Sequence, residues 1–451
     1  MTDGPKRSTF RKRYEEMLIT LRNEIIAGMW EEGSFLPSES DLAERFHLSK
    51  NSVRKGLELL VAEGFIEKIP RVGNRIQKSP QGVTIKFGYY PSLIAEADLR
   101  NLVNEFHKQH PLIRVNMIPM PYNHVPPTMK DYMESDDIDV MTINNQNFEL
   151  FAAPDTPPDL LEPLEAVEGV YPVLTEPFIR GEKLYLQPFL FSPIILCYNK
   201  QHFAEQGVAE PDSSWTWDTV KKIAQQLSDS TNTNRHGFFF HFLSDNRWPI
   251  FLLQNEVRFN RGSDGDKGLE LDESALNESL QVSMELLEQV FPPFRSENDD
   301  DAEMLFCQQK VSMILTSYFC LNKIKDVDFP YDISPLPYLG TPRTLVIAIG
   351  LAIHKNSRNK QAAQTFINFM MSYDTQLRIR QNTLSIPSLK SAAEWNGKGN
   401  VTLPSRYFVY REIFPSFCYP TALNVTYAEL ADIRQRIKLY LSKMEGLDVF
   451  L

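Results

Sequence analysis

Apolar residues recur through the first eighty positions at helical spacing. In LSKNSVRKGLELL (48–60) and the residue after it, Val53, Leu57, Leu60 and Val61 stand at i, i+4, i+7 and i+8, one face of a helix. Asn51, Lys55 and Glu58 take the opposite face, with Arg54 on its flank. Tyr14, Leu18, Leu21 and Ile25 form an earlier stripe, and Leu42, Ala43 and Phe46 a short one between them. Stop and start signals bound all three. Gly28 ends a helix over 10–27, Ser38 with Asp41 reads as a capping box opening 39–46, Ser49 is an N-cap, and Gly64 is a C′ glycine. FIEKI and NRIQK then flank a Pro-Arg-Val-Gly tip as two short strands.

Past residue 83 the period changes. TIKFGYY (84–90) alternates like a strand, and Leu99, Leu102, Val103 and Phe106 are a helix stripe ended by His110-Pro111. IRVNMIPM and DIDVMTI (137–143) are further strands, the last running into the polar loop NNQNF. That βαβαβ order predicts a parallel sheet with ligand loops at the strands' carboxyl ends. KLYLQPFLFSPIILCYNK reads as extended, WTWDTVKKIAQQL and 273–290 as helices, QQKVSMILTSYF as a strand entering a loop, and QAAQTFINFMMS as an amphipathic helix.

Composition adds a division of labour. The 451 residues exceed what one core serves, and 42% apolar with 23% charged content is that of a folded soluble chain. The net charge of −11 argues against nucleic acid as a partner of the whole. Residues 1–80, however, hold 14 Lys and Arg against 12 Asp and Glu, so a +2 head precedes a −13 body. KRSTFRKR near the start is a short basic arm. LVIAIGLAI (345–353), the longest apolar run, is strand-length, so no membrane partner is expected. No secretory leader is visible, and Cys197, Cys307, Cys320 and Cys418 are scattered among apolar neighbours as buried free thiols, which together predict a cytoplasmic protein.

Helix, helix, short turn, helix, hairpin is the order of a winged helix-turn-helix, mainly α with a β-wing, whose second motif helix enters the major groove. Its first turn offers Ser49, Lys50, Asn51 and Ser52, with Arg54 beyond; the wing offers Arg71, Gly73, Asn74, Arg75 and Lys78. Arg and Lys suit guanine edges and phosphates, and Asn suits adenine. GMWEEGSFLPSESDLAERFHLSKNSVRKGLELLVAEGFI (28–66) resembles the GntR family of bacterial regulators in its G-x-x-x-x-G-x-x-LPSE-x-x-LA, V-S-R-x-T-V-R-x-A-L and L-x-x-EG segments. The resemblance implies DNA contacts at Ser38, Lys50, Ser52, Arg54 and Gly73. The chain departs from the family at Ser40, Lys50 and Asn74, where Arg, Arg and Thr are usual. A bland alternative stays open: a winged helix that docks protein, with Arg54 paired to Glu58 at i+4.

The body resembles the family-1 extracellular solute-binding proteins of ABC transporters. DVMTINNQNFELFA, GEKLYLQPFLFSPIILCYNKQHF, SSWTWDTVKKIAQQL, FCQQKVSMILTSYF, VIAIGLAIHKNSRNKQAAQTFINFMMS and SIPSLKSAA carry the likeness, in order. It implies a two-lobed α/β, periplasmic-binding-protein-like (type II) domain that closes on a ligand, mostly a sugar. The expected organisation is a head over 1–78, a linker over 79–83, and a sensing domain over 84–451. Lobe 1 is then 84–190 with 310–350, and lobe 2 is 191–309 with 351–451. Matched to the family, the ligand residues are Tyr90, Asn144, Asn145, Gln146, Trp248 and Tyr318, with Asn246, Arg247, Phe148, Phe191 and Ser192 close by. For Phe148 and Phe191 core packing is the better reading, and Trp215 and Trp217 are structural.

The remaining signals are weaker. Gly262-x-x-Gly265-x-x-Gly268 lacks the strand and helix of a nucleotide cradle and reads as a hairpin turn. His107 and His110 lack a third metal ligand, and ENDDDAE (297–303) reads as a solvated loop or helix start. No catalytic motif or cofactor motif is present. The expectation is a dimeric, non-enzymatic, ligand-responsive regulator that needs no cofactor, with double-stranded operator DNA and a small-molecule effector as its partners; a non-sugar ligand is the alternative.

Overall fold

The computed structural model describes residues 7–26, 28–77, 82–120, 138–152, 158–228, 235–261, 269–271, 273–291 and 296–446. Lys78 and the turn at 262–268 lie outside the described residues, as does the start of the basic arm.

The head follows its stripes. Helices α1 (Arg7–Ile26), α2 (Glu39–Arg45) and α3 (Lys50–Ala62) precede strands β1 (Ile66–Ile69) and β2 (Gly73–Ile76). Most of the basic arm is thus the first two turns of α1. Ser38 caps α2 with the full Ser38–Asp41 box, and Ser49 Oγ accepts from the Ser52 N–H at 3.2 Å to cap α3. Leu18, Leu21, Leu42, Val53, Leu57, Leu60 and Phe65 are buried together, joined by Met17. Gly56 faces α1, where a Cβ would stand 2.3 Å from Cε at the flexible end of Met17. β1 and β2 pair antiparallel from Ile66↔Ile76 to Ile69↔Gly73. Phe35 bridges to Arg75 beyond them, with the Leu36 N–H donating to Asn74 O at 2.9 Å.

Next along the chain come β3 (Val83–Tyr89), α4 (Leu93–Glu96), α5 (Leu99–Gln109) and β4 (Ile113–Pro119), with β4 beside β3. The chain forms two compact units: Met1–Phe87 with Arg100–Ile118 and Arg358–Phe366, and Gly88–Leu99 with Pro119–Ser357 and Ile367–Leu451. The first therefore joins the head to most of β3, α5 and β4. Its satellite core sets Phe366 edge-on to Phe87 and Phe106, each at 5.0 Å. This grouping follows packing; residues 79–81 of the linker expected at 79–83 lie outside the described residues.

The second unit contains β5 (Val140–Asn144), α6 (Asn145–Phe151), β6 (Gln187–Asn199), α7 (Trp217–Leu227), β7 (His236–Phe239), α8 (Asp300–Cys307), β8 (Val311–Ser317), α9 (Tyr318–Ile324), β9 (Tyr331–Ser334), β10 (Thr344–Ile353) and α10 (Tyr427–Leu441). Strands β5, β10, β6, β8 and β7 lie side by side in that order. The thirteen-residue β6 is buried throughout, and its two halves serve different neighbours. Residues 187–193 pair with β10, while 194–199 pair with β8 and β9. β10 runs antiparallel to β5 and β6, and β8 antiparallel to β6 but parallel to β7, so the sheet formed by these strands is mixed; the parallel order was read for β3, β4 and β5.

The pairings cross the boundaries expected for the lobes. β8 sits with the second half of β6 and with β7, whereas 310–350 was grouped with 84–190. Residues 349–353 pair with β5, whereas 351–451 was assigned to the other lobe. Segment order does not say which strand a returning chain lies beside; hydrogen-bond register does.

Candidate functional site

On the head, the first turn of α3 is presented outward: Ser49, Lys50, Asn51 and Arg54 are exposed and Ser52 is half-buried. Ser49 and Ser52 also share a hydroxyl contact of 2.7 Å, so their side chains are engaged in holding the helix start. Ser38 is engaged likewise, its Oγ donating to Asp41 at 2.8 Å. Arg54 pairs with Glu39, not Glu58: Nε and Nη2 donate to the two carboxylate oxygens at 3.2 and 2.8 Å. That fork holds the Glu39 carboxyl below its usual range and leaves the Arg54 side chain 51% exposed. Glu39 was not singled out by sequence, because the fork spans fifteen positions.

The wing tip exposes Arg71 and Val72, with Arg71 in the left-handed region at φ +67° and Gly73 at φ +149°. Strand alternation then turns Asn74 inward, where it is 8% exposed, and Arg75 outward, where it pairs with Glu67 at 2.7 Å. Asn74 contributes its carbonyl to the wing; the outward polar side chain next to it is Arg75.

In the second unit a pocket of about 390 Å³ is lined by Tyr90, Ser92 and Glu96, by Asn246 and Arg247, by Asp299, Asp300 and Lys323, and by Ser317, Phe319 and Cys320. Tyr90 is fixed in its wall. Its N–H donates to Thr142 Oγ1 at 3.1 Å, and its hydroxyl accepts from the Asn144 N–H at 3.1 Å and from Asn147 Nδ2 at 2.7 Å. Burial pushes its phenol up to about 12. Arg247 is 2% exposed, donates Nη1 to Asn246 O at 3.3 Å, and leaves Nε without a partner. Asp299 accepts from Ser244 Oγ at 2.8 Å through one oxygen, and its other oxygen is buried without a partner. Below them Glu303 is buried, accepting from Thr316 Oγ1 at 2.5 Å, and burial raises its carboxyl while Arg247 opposes the shift. Glu96 accepts from Ser92 Oγ at 3.0 Å, and burial lifts its carboxyl to about 7. Lys323 pairs with Asp300.

Other expected ligand residues are committed elsewhere. Asn144 caps α6, accepting from the Asn147 N–H at 2.6 Å. Asn145 accepts from the Ala348 N–H at 2.9 Å, and Gln146 donates to Asp245 at 3.3 Å. Asp245 also takes Arg434 at 2.8 Å. Trp248 is 1% exposed in the core, its indole N–H reaching Asp245 at 3.4 Å. Tyr318 is fully buried, its hydroxyl donating to Tyr407 O at 2.7 Å. Ser317 caps α9 where a loop was expected, so Tyr318 turns into the core and Phe319 toward the pocket, ~100° apart on the helix. Phe148 lies under Arg180, and Phe191 packs edge-on to Tyr171 and Tyr410, both in the interior. Ser192 Oγ is spent accepting from the Phe319 N–H at 3.3 Å. Trp217 donates to Gln254 at 2.8 Å and, like Trp215, is core.

Asp299 and Asp300 belong to the stretch read as a solvated loop or helix start; it is the start of α8, and it also forms the edge of the pocket. A run of acids signals exposure; only the packing of α8 against β8 reveals the pocket. Cys307 is exposed, unlike Cys197 and Cys418, which are buried. Among the described residues no cluster of three His, Cys, Asp or Glu side chains is arranged for a metal, and no helix is long and apolar enough to cross a membrane.

A model of the bacterial extracellular solute-binding proteins matches residues 90–377, and one of the gntR family of bacterial regulatory proteins matches 13–76. A Brucella abortus protein known by name only as a binding protein is 25% identical over 224 residues, 48% of this chain and 54% of its own length. The chain thus spans about half the length of the curated relatives of that kind. An uncharacterised helix-turn-helix-type transcriptional regulator of Mycobacterium tuberculosis is 34% identical over 97 residues, 21% of this chain and 37% of that protein. Among solved structures, an ABC substrate-binding protein of Listeria monocytogenes in complex with cycloalternan aligns over 81% of this chain and 95% of its own, with a TM-score of 0.68 and 19% identity, a likeness of fold.

Proposed function

Because the chain belongs to the bacterial extracellular solute-binding protein family and carries a gntR-family regulatory head, we propose that it is a transcription regulator answering to a sugar or short oligosaccharide bound in the pocket of Tyr90, Arg247 and Phe319. The observation that carries the ligand half is that two residues lining this pocket each keep a buried polar atom without a partner, Arg247 its Nε and Asp299 one carboxylate oxygen. A buried donor and a buried acceptor left open are costly until something satisfies both, and a sugar hydroxyl both donates and accepts. Phe319 and Tyr90 supply the aromatic surface, while Trp248 lies in the core, so recognition here is chiefly polar. The pocket volume falls toward the lower end of the ~300–1,000 Å³ typical of small-molecule sites, which favours a compact ligand.

The DNA half rests on the outward Lys50, Asn51 and Arg54 at the start of α3. Lys50 in place of Arg contacts as a point charge, which loosens guanine selection there. A homodimer, acting in the cytoplasm as a repressor released by its effector, would place two heads on half-sites ~34 Å apart. The pocket binds and does not turn its ligand over, so the ligand should be recovered unchanged.

Thermal-shift measurements on the full chain with mono- and oligosaccharides, in wild type and Arg247→Gln, test the ligand half. A saccharide should raise the melting temperature of the wild type and lose that effect in the variant; an equal rise in both removes Arg247 from the site. Gel shifts with DNA from the region upstream of its own coding sequence test the other half. Lack of retardation at low salt, where phosphate contacts are strongest, would favour a head that docks protein.

A further inference from the structure

Three helix ends meet at one side chain in the first unit. Arg22, on α1, is 8% exposed and donates Nε and Nη2 to Glu63 at 2.7 and 2.6 Å. Glu63 is the C-cap of α3, the helix whose first turn carries Lys50 and Asn51. The third donor, Nη1, reaches the carbonyl of Gln109, the last residue of α5, at 3.2 Å. A guanidinium suits that position, since the last carbonyls of a helix lack intrahelical partners and carry partial negative charge.

Apolar contact reinforces the junction. Leu112, three residues past α5, packs against the head's core, and its carbonyl accepts from the Val83 N–H at 2.7 Å, tying it to the start of β3. His110 lies between, its ring 4.7 Å from Phe106; burial, and then Arg22, lowers its pKa to about 4, so it is neutral beside the guanidinium.

We propose that Arg22 pins the end of α3 to the end of α5, so that the head and the β3–α5–β4 segment open and close as one cooperative body. The chain passes from pocket residues Tyr90, Ser92 and Glu96 directly into α5, an eleven-residue rod ~16 Å long. A displacement of that rod is delivered to α3 through Arg22. The pin is a property of the junction and stands whatever the pocket binds.

Native-state hydrogen exchange on the full chain tests this, because a cooperative unit exchanges at a common rate. In wild type the last turns of α3 and α5 should share one slow rate. Arg22→Ala should speed both sets by about tenfold or more, as expected for losing charge-assisted hydrogen bonds, while the amides of β6 stay unchanged. Leu112→Ala, made from the α5 side and leaving every head residue in place, should also speed the end of α3. If Arg22→Ala speeds α3 alone, or Leu112→Ala leaves α3 unchanged, the two segments open independently and the pin is absent. Should Arg22→Ala fail to fold, Leu112→Ala decides the matter.

Discussion

The start of α3 and the lining of the pocket use the same residue types under opposite conditions. On α3 the charges face water, and Arg54 keeps half its side chain exposed while forked to Glu39. In the pocket Arg247 is 2% exposed and its Nε is buried without a partner. An exposed cation costs little to leave open, acts at range, and is weakened by salt. A buried one is costly to leave open and acts only on a partner that fits. The first arrangement suits a polyanion met in many registers, the second a small molecule met in one.

That contrast can be broken or sharpened at four points. The largest effect concerns support: Leu57→Ala should cost the head about 2–5 kcal/mol, the range for truncating a buried leucine. Urea unfolding followed on the head should show it, while saccharide-induced stabilisation of the folded chain persists. Equal loss of both would mean the two surfaces share one folding unit. Next, Arg54→Ala should weaken specific DNA binding by about 1–3 kcal/mol, read by gel-shift titration, with the ligand response intact. A matching loss of the ligand response would make Arg54 a folding element.

Third, Glu96 should titrate as a pocket residue and not as a surface acid. Burial raises its carboxyl from 4.5 to about 7, so between those values the folded chain holds a proton that the unfolded chain has lost. Stability should therefore fall as pH rises through that window, and Glu96→Gln should remove the fall. Melting temperatures across pH 4.5–7 decide it, and identical profiles for the two proteins would return Glu96 to the surface class. Smallest is Lys50→Ala, which should reduce the salt dependence of DNA binding by about one unit of log–log slope, leaving its base preference little changed. An altered base preference would give Lys50 a reading role.

Much of the head was legible in the residues. Ser38 and Ser49 announced their caps, Gly64 its stop, and the apolar stripes of α1 to α3 became the core with Met17 added. Asn74 did not follow its expected direction, because alternation in β2 sets the side chain's face independently of the motif position it fills. In the body the elements and their order were legible, but the partners of β8 and of the end of β10 were not. Of the pocket, Tyr90, Asn246 and Arg247 were singled out, whereas Glu96, Asp299, Lys323 and Phe319 were missed.

What the sequence by itself determined was local: which stretches form helices and strands, where they begin and end, and that a basic head precedes an acidic body. Periodicity, caps and charge depend on neighbours a few residues away, so they are written in the chain. Only the tertiary structure decided which member of an adjacent pair meets the pocket. Arg247 does and Trp248 does not; Phe319 does and Tyr318 does not. For Tyr318 and Phe319 one step along a helix turns a side chain by ~100°, and which side is inside depends on strands over a hundred positions away, as the bond from the Phe319 N–H to Ser192 shows. The Arg54–Glu39 fork and the Arg22 junction have the same origin, since contacts across 15, 41 and 87 positions leave no local trace.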